Sequence, residues 1–377
     1  MKNWRYIDQT EMSASKGLAT DEYLTNLHTS EGGTDFPAIL RLYNYKDHSV
    51  LVGRFQDINA EIDIEECESL GFGFGRRLTG GGAILMGANQ LGICFTTNQE
   101  ELPWEHISEL YKKLSAPILD ALKELGIEAA FRSKNDLEVE GKKIAGLGVY
   151  ISPSGAIQFH ASLLLDFDID VMLKVLKIPI QKFSDKRKIA SIEQRITSIN
   201  RTLGTAVEMT DLKSLVLKKY AEAFGKTFEE QDISTNEQKM INHIARETYE
   251  NEEWIFQRSP QADMTGVSLK KTPAGLLRTY IGLKGENIKS VLITGDFLDQ
   301  EEMLSEIESR LKWSPLDKDH ITKVVDKVVL EYSSNKSYSH VIENDDIVNA
   351  IWVASQRALA EKRYTYNGSC YYPKVEA

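Results

Sequence analysis

Between residues 71 and 83 the chain reads GFGFGRRLTGGGA, six glycines in thirteen positions with two arginines among them. That density of glycine is hostile to a helix interior. In Thr79-Gly80-Gly81-Gly82-Ala83 successive backbone N–H groups have no Cβ in front of them, so the main chain can approach a phosphate or acyl group closely and surround an anion. Arg76 and Arg77 stand just upstream, and a guanidinium fork suits a phosphate or carboxylate. No Gly-Lys-Ser/Thr follows at the spacing of a Walker loop, and the dinucleotide fingerprint is absent too. Taken alone, a glycine run is more often a tight turn than a ligand cradle; the adjacent arginines favour the cradle.

A chain of 377 residues has room for two or three domains around such a loop. With 45 basic and 56 acidic residues its net charge is −11, which argues against a general nucleic-acid binder. Cys67, Cys94 and Cys370 are too few and too far apart for a disulfide framework or a zinc site, so a reducing compartment is expected. The N-terminus MKNWRYIDQTEM lacks a signal-peptide apolar run, and no segment approaches the roughly 18 apolar residues of a membrane span. The expectation is a soluble, cytoplasmic protein.

Residues 38–53 read as two β-rich runs about the turn Lys46-Asp47-His48, a hairpin pattern. Ile107, Leu110, Tyr111, Leu114, Ile118 and Leu122 have helical spacing that stops at Gly126. Runs at 137–140, 143–151 and 156–165 predict a three-stranded meander. A helix is expected from Thr210, as its cap, to Gly225. Residues 226–250 look like a polar connector into a second unit, where 276–284 and 288–294 predict a hairpin and 300–312 a helix. A further helix is expected over 344–363.

Downstream of the glycine loop, Asn135-Asp136 precedes Gly141-Lys142-Lys143-Ile144-Ala145-Gly146. If 143–151 is a strand, alternation sends one of the two lysines inward, where it needs an anionic partner. The alternative is that both lie in an exposed hairpin turn. His160, in FHASLLL, has no neighbouring spacing that would make it a metal ligand, and no Gly-x-Ser-x-Gly elbow supports a serine hydrolase. Ser13-x-x-Lys16 matches a β-lactamase tetrapeptide whose companion motifs are missing.

The ordered set Arg76-Arg77-x-Thr79-Gly80-Gly81-Gly82-Ala83, Asn135-Asp136-Leu137, Gly141-Lys142-Lys143-Ile144-Ala145-Gly146 and His160-Ala161-Ser162-Leu163-Leu164 resembles the lipoate–protein ligases. Val52-Gly53-Arg54-Phe55-Gln56 and Asp21-Glu22-Tyr23 fit the same pattern. The resemblance covers about residues 1–225 and extends more weakly past Trp254. It implies an α+β fold: a mixed, mostly antiparallel sheet flanked by helices, of the biotin/lipoate ligase and class II synthetase kind. A small α+β accessory C-terminal domain would follow. The corresponding boundaries are 1–235 for the catalytic domain, 250–320 for the accessory domain and 321–377 for a helical extension without an assigned role.

The resemblance also implies a two-step reaction. Lipoate's carboxylate attacks the α-phosphorus of ATP, leaving lipoyl-AMP and pyrophosphate. A lysine of an acceptor lipoyl domain, from a 2-oxoacid dehydrogenase or the glycine-cleavage H protein, then takes the acyl group. Lys143 is the implied catalytic residue, touching both carboxylate and α-phosphate. Arg77, Thr79, Gly80, Gly81, Gly82, Ala83, Ile84, Leu85, Gln90, Asn135, Asp136, His160 and Ser162 are, with Lys143, the implied ATP and lipoyl-AMP site, with Arg77 on the phosphates and Gly82, Ala83, Ile84 and Leu85 along the adenylate. Mg²⁺ would offset the charge of ATP, its protein ligands unassigned. Neither nucleic acid nor membrane is an expected partner.

The chain departs from the family pattern at Leu85-Met86-Gly87-Ala88-Asn89-Gln90, where an aromatic residue, His-Asp and Gly-Asn are usual, and at Ala161-Ser162, where Gly-Thr is usual. A rival of the same fold is an octanoyl or lipoyl transferase acting between carrier proteins; one branch of those enzymes uses a cysteine near the motif lysine, and residues 127–142 contain none. Cys94, in a predicted strand, reads as buried and inert. A non-catalytic lipoyl-binding protein is the reading from another class, and the cationic motif argues against it.

Overall fold

The computed structural model describes residues 3–29, 36–132, 135–177, 193–298, 300–333 and 342–364, with two short strands at 368–369 and 372–373. Cys370 lies outside the described residues. The chain divides into two compact units, Met1–Gln257 and Arg258–Ala377.

In the first unit the strands are β1 (Trp4–Met12), β2 (Ile39–Tyr45), β3 (Ser49–Val52), β4 (Gly73–Arg76), β5 (Ile84–Met86), β6 (Gln90–Asn98), β7 (Ala130–Arg132), β8 (Asp136–Val139), β9 (Lys142–Ile151), β10 (Ala156–Leu164) and β11 (Phe228–Glu230). Eight of them form one sheet in the order β11-β1-β2-β6-β10-β9-β8-β7, and β4-β3-β5 form a second, small sheet. Among these described strands, β1 with β11, β1 with β2 and β3 with β4 pair in parallel, and the other ladders are antiparallel. This is the mixed, mostly antiparallel α+β class that the resemblance implied.

Alternation along the central strands gives the large sheet two unlike faces. Phe159, Ala161 and Leu163 of β10, opposite Phe95, Ile93 and Leu91 of β6, form the apolar face. The helices Ile107–Glu124 and Met209–Phe224 cover it: Phe95 stacks on Tyr220 and Phe224, and the Tyr111 hydroxyl accepts from Val149 N–H at 3.2 Å. The other face carries Gln158, His160 and Ser162, then Thr96, Cys94 and Gly92, then Arg41 and Tyr43. The helix Ala14–Asn26 lies on that side, with Asp21 ion-paired to the buried Arg41 and Thr25 Oγ1 donating to Gln158 Oε1. A hydrophobic helix face would not satisfy those polar groups, so Asp21 and Thr25 point down into the sheet.

Several expectations need correction. Residues 38–53 are not a hairpin: β2 pairs with β1 and β6, whereas β3 pairs with β4 and β5. Both runs are buried along their whole length, so each needs neighbours on both edges, and the polar turn only carries the chain from one sheet to the other. The helix expected to be capped by Thr210 begins at Met209, without a side-chain cap. Residues 226–250 are no connector. They add β11 to the edge of β1 and then form the helix Thr235–Ile244, whose Ile241, with Ala245 and Tyr249, is buried against Leu18 and Ala19. The meander 136–164 and the helix ending before Gly126 are observed as predicted.

The second unit is a four-stranded antiparallel sheet of β12 (Gly266–Thr272), β13 (Gly275–Lys284), β14 (Asn287–Gly295) and β15 (Ser314–Pro315). The predicted hairpin is β13 and β14; β12 has no counterpart in the sequence reading, and the helix Lys318–Ser333 falls at the start of the stretch read only as a helical extension, 321–377. The helix Asn344–Tyr364 belongs to this unit, where Ser268 Oγ donates to Ala350 O and Arg357 to Val267 O. Among the described residues no helix is long and apolar enough to cross a membrane.

Candidate functional site

The glycine loop leaves β4 at Arg76, and the two arginines explain its shape. Arg76 is fully buried and donates to the carbonyls of Gly53, Arg54, Gln56 and Ile255 at 2.7–3.0 Å. Arg77, 4% exposed, donates to Leu51 O at 2.6 Å, Gly82 O at 2.9 Å and Gly80 O at 3.2 Å. The sequence reading aimed these guanidiniums at a phosphate. Instead they gather carbonyl oxygens inward, so the peptide N–H groups of the loop are left to face the other way. Among the described residues none accepts a hydrogen bond from Gly80, Gly81 or Gly82 N–H. Burial lowers the Arg77 pKa to about 10, which leaves it charged at neutral pH beneath the loop.

Two contacts fix the loop from outside. Gly81 has φ +94°, and its carbonyl oxygen would stand 2.0 Å from a Cβ on Gly53, so position 53 admits only glycine. Arg54 N–H donates to Thr79 O at 3.0 Å, while Thr79 Oγ1 and His160 Nδ1 are 3.1 Å apart. The glycine loop is thereby tied to β10, across the space between the two sheets. His160 has its pKa lowered to about 3, by burial first and by the charge of Arg77 second, so its ring is neutral. A Cβ on Gly148 of β9 would reach the same ring at 2.8 Å.

Lys143 owes its direction to a bulge. Leu137 pairs with Ala145 and Glu138 with Lys143, so Ile144 has no partner on β8 and the alternation of β9 is broken there. Strict alternation would put Lys143 on the face opposite Gly146. With the extra residue its ammonium lies over Gly146, 3.0 Å from where a Cβ would be. The Lys143 side chain is 32% exposed, and Nζ lies 2.7 Å from Asp136 Oδ1 but off the hydrogen-bond direction, an electrostatic contact more than a directed bond. Neither alternative raised for Lys142-Lys143 therefore holds unchanged: both are half-buried in β9, and the inward lysine has its anion in Asp136. The turn before it, Glu140 at φ 51° and Gly141 at φ 78°, is the two-residue kind that suits a tight hairpin. Asn135 braces the strand, exchanging main-chain and side-chain hydrogen bonds with Leu147 at 2.7 and 3.0 Å.

The structure thus brings Thr79, Gly80, Gly81, Gly82, Asp136, Lys143, His160 and Ser162 to one side of the large sheet, with Asn135 as their brace. Ser162 Oγ donates to Met86 Sδ at 2.9 Å. Ile84 and Met86 face the same interior, but Ala83 and Leu85 alternate to the far core of the small sheet with Val50, Val52 and Cys67, so Leu85 does not line the site. Gln90, 2% exposed, donates to Asp166 O at 2.6 Å and holds the end of β10. The sequence reading named Gly53 and Gly146 only as parts of motifs, without a space-making role, and did not name Gly148. It quoted Arg54 in the same way and gave no role to its guanidinium, which lies 5.7 Å from the Tyr150 ring centre and 5.5 Å from that of Trp254. A clash at a glycine has no one-dimensional signal beyond the glycine itself. Among the described residues no three His, Cys, Asp or Glu side chains cluster as a metal site.

Residues 13–221 match the family described as "Lipoyl protein ligase A/B catalytic domain", and residues 263–351 that described as "Bacterial lipoate protein ligase C-terminus". The chain is similar to lipoate-protein ligase LplJ of Bacillus subtilis, 28% identical over 312 residues that cover 82% of this chain and 90% of the relative. It is equally similar, 28% over 282 residues, to octanoyltransferase LipM of Brevibacillus brevis, which covers 68% of this chain and the whole of the relative. In fold it is similar to P. falciparum LipL1, solved in complex with lipoate, with a TM-score of 0.70 at 17% identity, covering 93% of this chain and 98% of that one.

Proposed function

Given that the chain belongs to the lipoyl protein ligase A/B family, enzymes of lipoate ligation and octanoyl transfer whose catalytic domain matches more than half of its length, we propose that it is an ATP-dependent lipoate–protein ligase. The observation that carries this reading is the Lys143 ammonium, turned by a bulge onto the glycine side of the sheet over Gly146, which is two residues from Gly148, the glycine that packs under His160 and Thr79. Two residues of strand are about 6.6 Å, so one ligand can touch both the ammonium and the loop.

In the first step two anions must meet, a carboxylate and a triphosphate. The useful protein groups are fixed positive charge and N–H donors, not a nucleophile. Lys143 would bind the carboxylate oxygen and the α-phosphate together, and the Gly80–Gly82 N–H groups would donate to phosphate oxygens. Carboxylate oxygen attacks the α-phosphorus, the bond to the β-phosphate oxygen breaks, and pyrophosphate leaves. In the second step the acceptor lysine amine attacks the acyl carbon; the C–O bond to AMP breaks, and Lys143 stabilises the departing phosphate. Asp136 places a carboxylate beside Lys143, which fits Mg²⁺ brought with ATP, an ion usually held by one or two carboxylates plus substrate phosphates. The acceptor would be a lipoyl domain or the glycine-cleavage H protein, and the second unit the accessory domain.

Transfer between carrier proteins is the second reading, favoured by the similarity to LipM. Among the described residues a cysteine nucleophile has little support: Cys94 is buried, and burial together with Asp21 pushes its thiol well above the ordinary range. Burial and neighbouring acids raise Cys67 to about 11. The deciding experiment is acyl transfer to an acceptor domain with and without ATP, comparing lipoate, octanoate and octanoyl carrier protein. Product from free acid only with ATP supports the ligase; product only from the carrier, without ATP, supports the transferase.

A further inference from the structure

The polar face of the large sheet contains one row of very small residues that starts beneath Lys143. Across the strands, Gly146 of β9 stands opposite Ser162 of β10, and Ser162 opposite Gly92 of β6. Adjacent strands are about 4.8 Å apart, so this floor runs about 9.6 Å without a bulky side chain of its own. The parallel row beside it is closed, because His160 stands up from it and is bound to Thr79. An acyl chain whose carboxylate is held at Lys143 would therefore lie along Gly146 and Ser162, where the sheet itself offers no bulky side chain.

Two side chains from elsewhere close that path. Met86 of the small sheet is 2% exposed and its sulfur takes the Ser162 hydroxyl at 2.9 Å. Behind it the Tyr43 ring covers Gly92, with ring carbons 2.4–2.7 Å from where a Cβ would be. Met86, Tyr43, Leu18, Leu51 and Cys94 form one buried cluster, so the end of the row is packed, not open to water. Tyr43 is held, its hydroxyl donating to Asp21 at 3.3 Å. Met86 is the movable member: an unbranched thioether with three rotatable bonds can swing aside, and its contact to Ser162 is a weak one.

We propose that Met86 is the specificity-determining residue of this site, the adjustable end stop that sets how long and how wide an acyl chain can lie between Lys143 and Tyr43. This rests on the acyl-binding part of the proposed function and not on the use of ATP. A stop of this kind favours medium-length acids, excludes long ones, and admits a terminal ring only as far as the thioether yields.

The test is the acyl profile of the full-length wild type, Met86→Ala and Met86→Leu over straight acids of six, eight, ten and twelve carbons, with lipoate. Binding of each acid is measured by calorimetry, and pyrophosphate release with ATP is measured alongside. Met86→Ala should shift the binding optimum to chains about two carbons longer, gaining about fourfold in affinity for each added methylene buried. Met86→Leu, of similar volume but branched, should keep the length limit and bind lipoate several-fold more weakly. An unchanged profile in Met86→Ala, in protein whose melting curve shows it folded, overturns the stop; so does a uniform loss across all acids. If the profile shifts in binding but no acid releases pyrophosphate in the wild type, the stop stands and the ligase reading fails.

Discussion

At the scale of single residues, the site is defined by where charge is held and where it is absent. Replacing Lys143 with Ala should lower acyl transfer about a hundredfold or more, the usual loss on removing a preorganised transition-state contact of ~3 kcal/mol. The far-UV spectrum and melting temperature should change little, because the side chain is partly exposed. His160 should act through its shape and its neutral hydrogen bond. With a folded pKa of about 3 against an ordinary value near 6.5, the unfolded chain takes up a proton that the folded chain refuses. Stability from this residue is therefore complete above about pH 6.5 and falls steadily as the pH is lowered towards 3. His28, lowered to about 4 by burial, acts in the same direction. Urea titrations at pH 7.5, 6 and 5 should show this fall, and His160→Gln should have a flatter slope. The activity profile between pH 6 and 8 should show no inflection belonging to His160.

At the scale of elements, the glycine loop and the bulge in β9 are the two pieces of backbone that make the site. Glycines that look alike in sequence should behave differently. A Cβ at Gly53 would lie 2.0 Å from a main-chain oxygen, whereas one at Gly82 meets nothing within 4 Å. Gly53→Ala should lower the melting temperature by several degrees and abolish most activity, while Gly82→Ala should leave the melting temperature unchanged. Arg77→Met should be destabilising by about 3 kcal/mol, since three carbonyls lose their buried donor. The glycine loop, the meander and the helices with apolar periodicity were legible in the sequence, because turn residues and spacing are local signals. The hairpin assigned to 38–53 was not, because strand character does not name a partner. Nor was the aim of Lys143: alternation counts residues on one strand, and a bulge is a property of two. Arg77 shows a third limit. Its residue type suits an anion, but only burial and three neighbouring carbonyls reveal that it shapes the loop.

At the scale of the whole molecule, each unit closes its own core. In the first, Trp4, Phe95, Tyr220 and Phe224 pack as one aromatic cluster, and in the second, Arg258 joins Glu308, whose carboxylate also accepts from Ile293 N–H at 2.7 Å. Residues 1–257 should therefore fold without the remainder, shown by a single cooperative melt and retained acyl binding. The net charge of −11 set aside a general polyanion binder but was silent about the site, where the signs are arranged locally: Arg77 beneath the loop, and Lys143 beside Asp136 over Gly146. The central claim is that this arrangement activates a free carboxylic acid with ATP. The direct measurement is pyrophosphate release by the purified full-length protein with lipoate, ATP and Mg²⁺, followed by lipoylation of an acceptor domain, with Lys143→Ala in parallel. The account predicts stoichiometric pyrophosphate and acylated acceptor in the wild type, and neither at a comparable rate in the variant. Acylation from an octanoyl carrier without ATP, with no pyrophosphate from any free acid, would contradict it.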